Sequence, residues 1–230
     1  MSKLTNPSLL LLRNETEPIG KSILVVNFEQ DGFLHELKTL NPDSVITAFS
    51  YNHANFMYAS KIAGVHAVVD HTIPHGNYDL VIYYYPKAKP EAQMCLDNIR
   101  AVCHQDVQLF VVGENKSGVK SAEKQLKDHC NFSNKIDSAK HCILYLFSEL
   151  TLNDSFNISR YHKQFQVKAG EVEFTAISVP GVFNHGALDV GTAVLLNNAP
   201  SIRTGQVLDF ACGAGIIATY LGLKQPELEF

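Results

Sequence analysis

The feature that most constrains the fold is an alternation of short apolar runs with amphipathic segments over the first 150 residues. The apolar runs are rich in β-branched and aromatic residues and have the length of strands: residues 22–28, 44–49, 65–69, 78–85, 107–112 and 141–147. Segments with helical spacing separate them, at residues 33–40, 55–62, 90–102 and 118–130. Strands that are apolar on both faces and separated by helices indicate an α/β fold with a doubly wound, mostly parallel sheet.

A second region begins where this alternation ends. Polar residues dominate at residues 153–161, and a β-hairpin around residues 168–170 and a helix at residues 191–197 are predicted after them. We therefore divide the chain into an α/β domain, a linker with a hairpin and a helix, and the start of a second α/β domain: residues 1–155, 156–200 and 201–230.

Composition narrows the class of protein. The net charge of −4 disfavours a surface that wraps nucleic acid throughout, but phosphate attraction depends on where lysines cluster. The five cysteines form no CxxC pair, and His71 and His75 share a loop with Pro74, so we predict reduced thiols and no metal site. No run approaches the ~20 apolar residues that span a bilayer. We expect a cytoplasmic monomer without a membrane partner.

Near the end of the chain, residues 206–215 have the sequence QVLDFACGAG, followed by apolar residues at helical spacing. A buried strand would end at Asp209, and Gly213 and Gly215 would let a ligand approach the backbone. The next helix would present free N–H groups at its start. This pattern favours a nucleotide-type site, and the alternative is a tight strand–helix connection without a ligand.

The same segment resembles the first motif of the class I S-adenosylmethionine-dependent methyltransferases. Residues 179–196 (VPGVFNHGALDVGTAVLL) resemble the segment before that motif in the small-subunit ribosomal RNA guanine-N2 methyltransferases, as do residues 83–91, 111–123 and 135–142. The resemblance covers nearly all 230 residues. It implies an enzyme with S-adenosylmethionine as cofactor and 16S ribosomal RNA, or the small subunit, as substrate.

The resemblance also implies particular cofactor-binding residues: Asp209, Ala211, Cys212, Gly213 and Gly215, with Asp189 and Thr192 upstream. Asp189 has an alternative role as a helix cap. Ala211 replaces the first glycine of the family's D-x-G-x-G-x-G motif, and we expect so small a side chain to preserve the turn. We expect Cys212 to be a small apolar filler rather than a nucleophile.

The family's Asn-Pro-Pro-aromatic motif, which holds the target amine, does not occur in these 230 residues. The resemblance therefore places the catalytic residues beyond Phe230, in a part of the catalytic domain that this sequence lacks. We expect the chain by itself to be inactive. We also expect the segment after Ser201 to lack the sheet on which it should pack.

The first domain has the order of elements of the second but not its site residues. It has a lone Gly32 in the turn after its first strand, and no Asp or Glu between Asp43 and Asp70 to hold a ribose. Tyr85-Pro86-Lys87 takes the place of Asn-Pro-Pro. We predict a non-catalytic domain that does not bind the cofactor.

Four lysines give this first domain a possible role with RNA. Lys87 and Lys89 follow one strand, Lys116 and Lys120 follow another, and the tyrosines of residues 83–85 are close to the first pair in sequence. Lysines neutralise phosphates and accessible aromatic rings stack on unpaired bases. The alternatives are that the tyrosines are buried, that the lysines form a solvated rim, and that the domain only supports folding.

Overall fold

The computed structural model describes residues 3–14, 21–153, 155–202 and 204–230. The chain divides into two compact units, Met1–Asn157 and Ile158–Phe230.

The first unit alternates helices and strands in the following order: α1 (Asn6–Arg13), β1 (Ser22–Val26), α2 (Phe33–Leu40), β2 (Val45–Ser50), α3 (His53–Ala59), β3 (Val65–Val69), β4 (Leu80–Tyr84), α4 (Lys89–Arg100), β5 (Gln108–Glu114), α5 (Ser121–Leu126), β6 (Cys130–Ala139) and β7 (Cys142–Leu150). A 3₁₀ turn, Asn115–Ser117, follows β5. The strands form one seven-stranded sheet in the order β3-β2-β1-β4-β5-β7-β6.

This architecture confirms the predicted doubly wound, mostly parallel fold. Strands β1 to β5 pair in parallel, and β7 pairs antiparallel with both β5 and β6. Alternate side chains of the central strands enter different apolar clusters, as Leu24 and Val26 do in one and Ile23 and Val25 in the other. Burial on both faces explains why these strands have continuously apolar sequences.

Two elements of this unit were not predicted. In helix α1, Leu10 and Leu11 are buried and pack in the cluster that contains Ile23 and Val25. The helix predicted over residues 118–130 is wrong in its second half, because α5 ends at Leu126 and β6 begins at Cys130. Strand β6 lies at the edge of the sheet and is mostly exposed, so it lacks the apolar run that marks a buried strand.

Hydrogen bonds attach the start of α1 to the end of the sheet. The Asp31 carboxylate, in the turn after β1, accepts hydrogen bonds from the Thr5 backbone N–H at 2.8 Å and the Thr5 hydroxyl at 2.9 Å. The Ser8 and Tyr84 hydroxyls are 2.9 Å apart. At the other end of α1, Arg13 contacts Asp137 of β6 at 2.6 Å. The helix therefore spans from the turn after β1 to the edge strand.

The second unit begins with a 3₁₀ turn, Ile158–Tyr161, and an antiparallel hairpin of β8 (Lys163–Ala169) and β9 (Val172–Ser178). It continues with α6 (Val190–Asn197), β10 (Gly205–Gln206), α7 (Ile216–Lys224) and β11 (Leu228–Glu229). Strands β10 and β11 pair in parallel.

The hairpin supplies the apolar surface on which the last part of the chain packs. Tyr220 and Leu221 of α7 are buried in one cluster with Val167 and Ala176 of the hairpin and Leu196 of α6. The segment after Ser201 therefore packs on the hairpin. Of the parallel sheet that we expected it to lack, the described residues contain only the β10–β11 pair.

Among the described residues, none of the helices has the length and apolarity to cross a bilayer. The same residues contain no group of three or more His, Cys, Asp or Glu side chains that could hold a metal ion.

Helix α1 is expected to be an integral part of the first unit. Leu11 is 1% exposed, so Leu11→Ala should lower the free energy of unfolding by about 2–5 kcal/mol through reduced apolar burial and a cavity. Leu40→Ala is the matched control, because Leu40 is 48% exposed and its truncation should change stability by less than about 0.5 kcal/mol. Urea unfolding measures both variants. Equal small effects would show that α1 is dispensable.

Candidate functional site

The turn after β10 holds five of the seven residues predicted to bind a cofactor. The prediction of a buried strand that ends at Asp209 is wrong, because β10 is exposed and ends at Gln206. One hydrogen bond continues the pairing beyond the short β10–β11 pair: the Val207 N–H donates to the Glu229 carbonyl oxygen at 2.8 Å. Asp209 follows, and its Oδ2 accepts a hydrogen bond from the Ala218 N–H in the first turn of α7 at 3.1 Å. The carboxylate thus fixes the start of the helix relative to the strand end.

Between Asp209 and α7, three residues have backbone angles in the left-handed region. Ala211, Gly213 and Gly215 have φ of 60°, 58° and 69°. A Cβ atom on Gly215 would meet nothing within 4 Å, and one on Gly213 would meet only Val182 Cγ1, at 3.8 Å. The turn therefore leaves open space at the start of a nine-residue helix, where backbone N–H groups and the helix dipole favour a polar or anionic group.

Ala211 agrees with the expectation from the sequence, and Cys212 does not. Ala211 keeps the turn, as expected, although a residue with a Cβ is strained at positive φ. Cys212 is exposed and reduced, so the expectation that it fills a small apolar space is wrong. A side chain on the outside of a turn has no core to fill.

The segment before the motif lies beside this turn, as the position of Val182 shows. Asp189 is the N-cap of α6: its Oδ2 accepts from the Thr192 N–H at 2.9 Å and lies 3.3 Å from the Thr192 hydroxyl. The capping role that was the alternative is therefore observed, and cofactor contact by Asp189 and Thr192 stays a prediction. Ser178 holds the intervening loop by accepting from the Gly186 N–H at 2.9 Å.

In the first unit the turn after β1 is built differently. It carries two carboxylates, Glu29 and Asp31, and Asp31 is 2% exposed. Asp31 Oδ1 also accepts from the Phe33 N–H at 3.0 Å, so its carboxylate is used internally. Burial, and then the negative charges of Asp31 and Glu114, raise the pKa of Glu29. Acidic side chains, rather than open glycines, thus occupy this turn.

The four lysines predicted to bind RNA are exposed and follow β4 and β5, two neighbouring strands: Lys87, Lys89, Lys116 and Lys120. The two loops approach each other, since a Cβ atom on Gly118 would lie 3.8 Å from Lys89 Cε. Lys116 is partly neutralised by Glu114, with 3.1 Å between Nζ and Oε2. The structure therefore brings both lysine pairs to the carboxyl edge of the parallel strands.

The tyrosines beside these lysines are buried, so of the two possibilities left open by the sequence the buried one is observed, and the rings are not accessible to bases. Tyr83, Tyr84 and Tyr85 are 0%, 4% and 5% exposed, and burial raises the pKa of each. Tyr83 and Tyr85 enter one apolar cluster and Tyr84 the other. Strand pleating alternates the rings between the two covered faces of the sheet.

Sequence reasoning missed two residues at this edge, Lys140 and His141, which form the turn between β6 and β7. They were missed because residues 131–140 were given no secondary structure, so neither β6 nor the turn after it was predicted. The available signal was the paired length of residues 130–139 and 142–150 around a two-residue turn.

Comparison with known proteins finds two matching family models. The methyltransferase small domain N-terminal model matches residues 8–165, and the methyltransferase small domain model matches residues 173–230. A ribosomal RNA small subunit methyltransferase C of Pseudoalteromonas translucida is 67% identical over 230 residues, covering 100% of this chain and 67% of the relative. One of Shewanella sediminis is 39% identical, covering 98% and 66%. The chain thus spans about two thirds of the length of these relatives.

Solved structures agree on the fold. A 16S rRNA N2-guanine methyltransferase of T. thermophilus, solved with AdoMet and guanosine, aligns with a TM-score of 0.69 at 18% identity, covering 85% of this chain and 52% of that one. A methyltransferase of Pyrococcus furiosus aligns with a TM-score of 0.51 at 14% identity, covering 65% and 86%.

The strain at Ala211 is testable. Ala211→Gly should raise stability by roughly 0.5–1 kcal/mol, because relief of the left-handed strain exceeds the entropic cost of glycine. Gly215→Ala, the reverse change at φ 69°, should cost about 1 kcal/mol. Urea unfolding with hydrogen exchange of the α7 amides localises both effects to the second unit. A loss of stability in Ala211→Gly would contradict the turn geometry.

Proposed function

The chain belongs to the ribosomal RNA small subunit methyltransferase C family, and from this premise we propose that it serves methyl transfer from S-adenosylmethionine to the exocyclic N2 amine of a guanine in 16S ribosomal RNA. The observation that carries the proposal is the glycine turn of the second unit, with open space at Gly213 and Gly215 and with Asp209 bonded to the first turn of α7. In this proposal the protein acts in the cytoplasm as a monomer.

The residues present fit S-adenosylmethionine. Gly213 and Gly215 would allow its polar groups to approach the backbone, and the start of α7 offers N–H donors for its carboxylate. Asp209 and Asp189 are the carboxylates that would be available to the cationic sulfonium and ammonium groups of the cofactor. When bound, the cofactor supplies an electrophilic methyl group to the guanine amine. Residues 158–230 would supply part of the site that binds and orients that cofactor.

The first unit has a non-catalytic role in this proposal. Its turn after β1 uses Asp31 to hold Thr5 and its own backbone. The same turn carries Glu29, whose pKa is raised by burial and by the neighbouring acidic groups. Tyr85, Pro86 and Lys87 follow β4, so no amide side chain is available there to hold a target amine. Two roles remain for this unit. One is RNA contact through the edge that carries Lys87, Lys89, Lys116 and Lys120, which we call the lysine edge, and the other is support of folding.

The test uses two proteins: residues 1–230, and the same residues followed by the remaining third of the 67% identical relative. The joined protein should transfer labelled methyl groups from S-adenosylmethionine to unmodified 16S ribosomal RNA or small subunits, with the product identified as N2-methylguanine by mass spectrometry. Residues 1–230 alone should be inactive and should not bind the cofactor at micromolar concentration in calorimetry.

Two glycine-to-valine substitutions, one in the proposed site and one outside it, test the site. Gly213→Val in the joined protein should reduce cofactor affinity roughly 100-fold by obstructing the open turn. Gly170→Val places the same side chain at a similar φ, 58°, in the β8–β9 hairpin, with open surroundings, and should retain activity. Equal loss in both variants, or methylation of another base position, would contradict the proposed site or reaction.

The lysine edge has a separate test. The double change Lys116→Ala and Lys120→Ala should weaken binding of residues 1–230 to 16S ribosomal RNA and make the salt dependence shallower. The expected change in log–log slope is about 0.7–0.9 for each phosphate that is no longer neutralised. Filter binding at low and moderate salt measures this. Unchanged affinity and slope would leave folding support as the role of the first unit.

A further inference from the structure

A cleft of about 360 Å³ opens at the carboxyl edge of the first unit's sheet. It lies between the start of α1, the end of β5 and the turn between β6 and β7. Six residues line it: Asn6, Glu114, Asn115, Lys116, Lys140 and His141. Its volume is within the range of ~300–1,000 Å³ that is typical of small-ligand sites. The cleft can therefore accommodate a small organic group.

The turn that forms one wall has an unusual composition. Ala139 and Cys142 are paired across the hairpin, and the two residues between them, Lys140 and His141, have φ of 48° and 62°. Two-residue hairpin turns with both φ values positive favour Asn-Gly, and other residues cost about 1 kcal/mol each. Lys140 and His141 are therefore not the residues that would stabilise this turn best, and such strain is typical of functional positions.

The strained turn is held in a defined place. The His141 carbonyl accepts a hydrogen bond from the Asn115 N–H at 2.7 Å, which links the turn to the residue that follows β5. Both side chains are exposed. In the described part of the chain, no hydrogen bond or ion pair engages the Lys140 ammonium group or the His141 ring. These groups are free to contact a ligand without breaking an internal interaction.

The charged side chains at the cleft favour one kind of ligand. The Glu114 carboxylate contacts the Lys116 ammonium at 3.1 Å, so these two charges largely compensate each other. Lys140 then leaves the cleft with a net positive charge. The same edge carries Lys87, Lys89 and Lys120, which extend the positive surface along the sheet. A ligand with an anionic backbone that continues along this edge is favoured over an isolated neutral molecule.

We propose that this cleft binds one unpaired nucleotide of the RNA substrate. The His141 ring stacks on the base, the Asn6 and Asn115 amides bond to its edge, and Lys140 contacts a neighbouring phosphate. The proposal rests on the proposed function, because that function supplies an RNA partner. It gives the first unit a base-stacking ring in place of the tyrosines, which are buried.

The experiment exploits the strain. The double change Lys140→Asn and His141→Gly converts the turn to its preferred residues, so the first unit should become more stable in urea unfolding. Fluorescence anisotropy measures binding of residues 1–230 to a short, unstructured oligoribonucleotide. Affinity should fall roughly tenfold, as expected when one base no longer stacks, and the salt slope should become shallower by about 0.7.

Controls separate this effect from general charge loss. Lys61→Ala removes an exposed lysine after α3, at the opposite edge of the sheet, and should leave affinity unchanged. A duplex RNA of equal length should bind more weakly than the single strand and should be less sensitive to the turn variant. His141→Ala with Lys140 retained should lower single-strand affinity with little change in the salt slope, which distinguishes stacking from phosphate contact.

Each outcome decides the proposal. A stabilised double variant with unchanged RNA affinity would overturn it, since the variant would be folded and the side chains irrelevant to RNA. Equal effects on duplex and single strand would also overturn it, because a duplex offers no unpaired base. Methyl transfer by the joined protein is measured independently. If the transfer assay fails while the double variant loses single-strand affinity, the cleft is supported and the proposed reaction is not.

Discussion

The parallel pairing of β1 with both β2 and β4 is the constraint on which the first unit depends. A strand paired on both sides and covered on both faces must be apolar throughout, and β1 is buried over Ile23–Val26. Because β2 and β4 lie on opposite sides of β1, the connections leave in opposite directions and open a crevice at the carboxyl ends. The turn after β1, the lysine loops and the β6–β7 turn all lie at that edge.

Both units use a strand–turn–helix element, and they differ in what occupies the turn. In the second unit, Gly213 and Gly215 leave space, and Asp209 organises the helix from the strand end. In the first unit, Asp31 takes up hydrogen bonds from Thr5 and from its own turn. An internal partner for a buried carboxylate offsets the cost of burying its charge, but it also removes the group from ligand binding. The same strand–turn–helix element thus has an open turn in one unit and an occupied turn in the other.

The errors of prediction share a physical origin. A run of tyrosines indicates how apolar a strand is, but the apolar clusters on both faces of the sheet decided that Tyr83 to Tyr85 would be buried. The edge strand β6 was not predicted, because an exposed strand has no apolar run to identify it. Asp189 was correctly recognised as a possible cap, and its bond to Thr192 depends only on residues three apart. Local hydrogen bonds are predictable from spacing, whereas burial requires the neighbouring strands.

The sequence by itself determined the α/β class, the glycine turn at residues 211–215 and most of the order of elements, with α1 and β6 as the exceptions. Strand apolarity, helical spacing and glycine placement are local properties. Tertiary structure alone decided which surface each residue reaches. It gave the end of the chain the hairpin on which Tyr220 and Leu221 pack, and it brought Asn6, Lys116 and His141 from distant segments into one cleft. Those groupings depend on strand order and register, which arise from long-range pairing and are not encoded in any single segment.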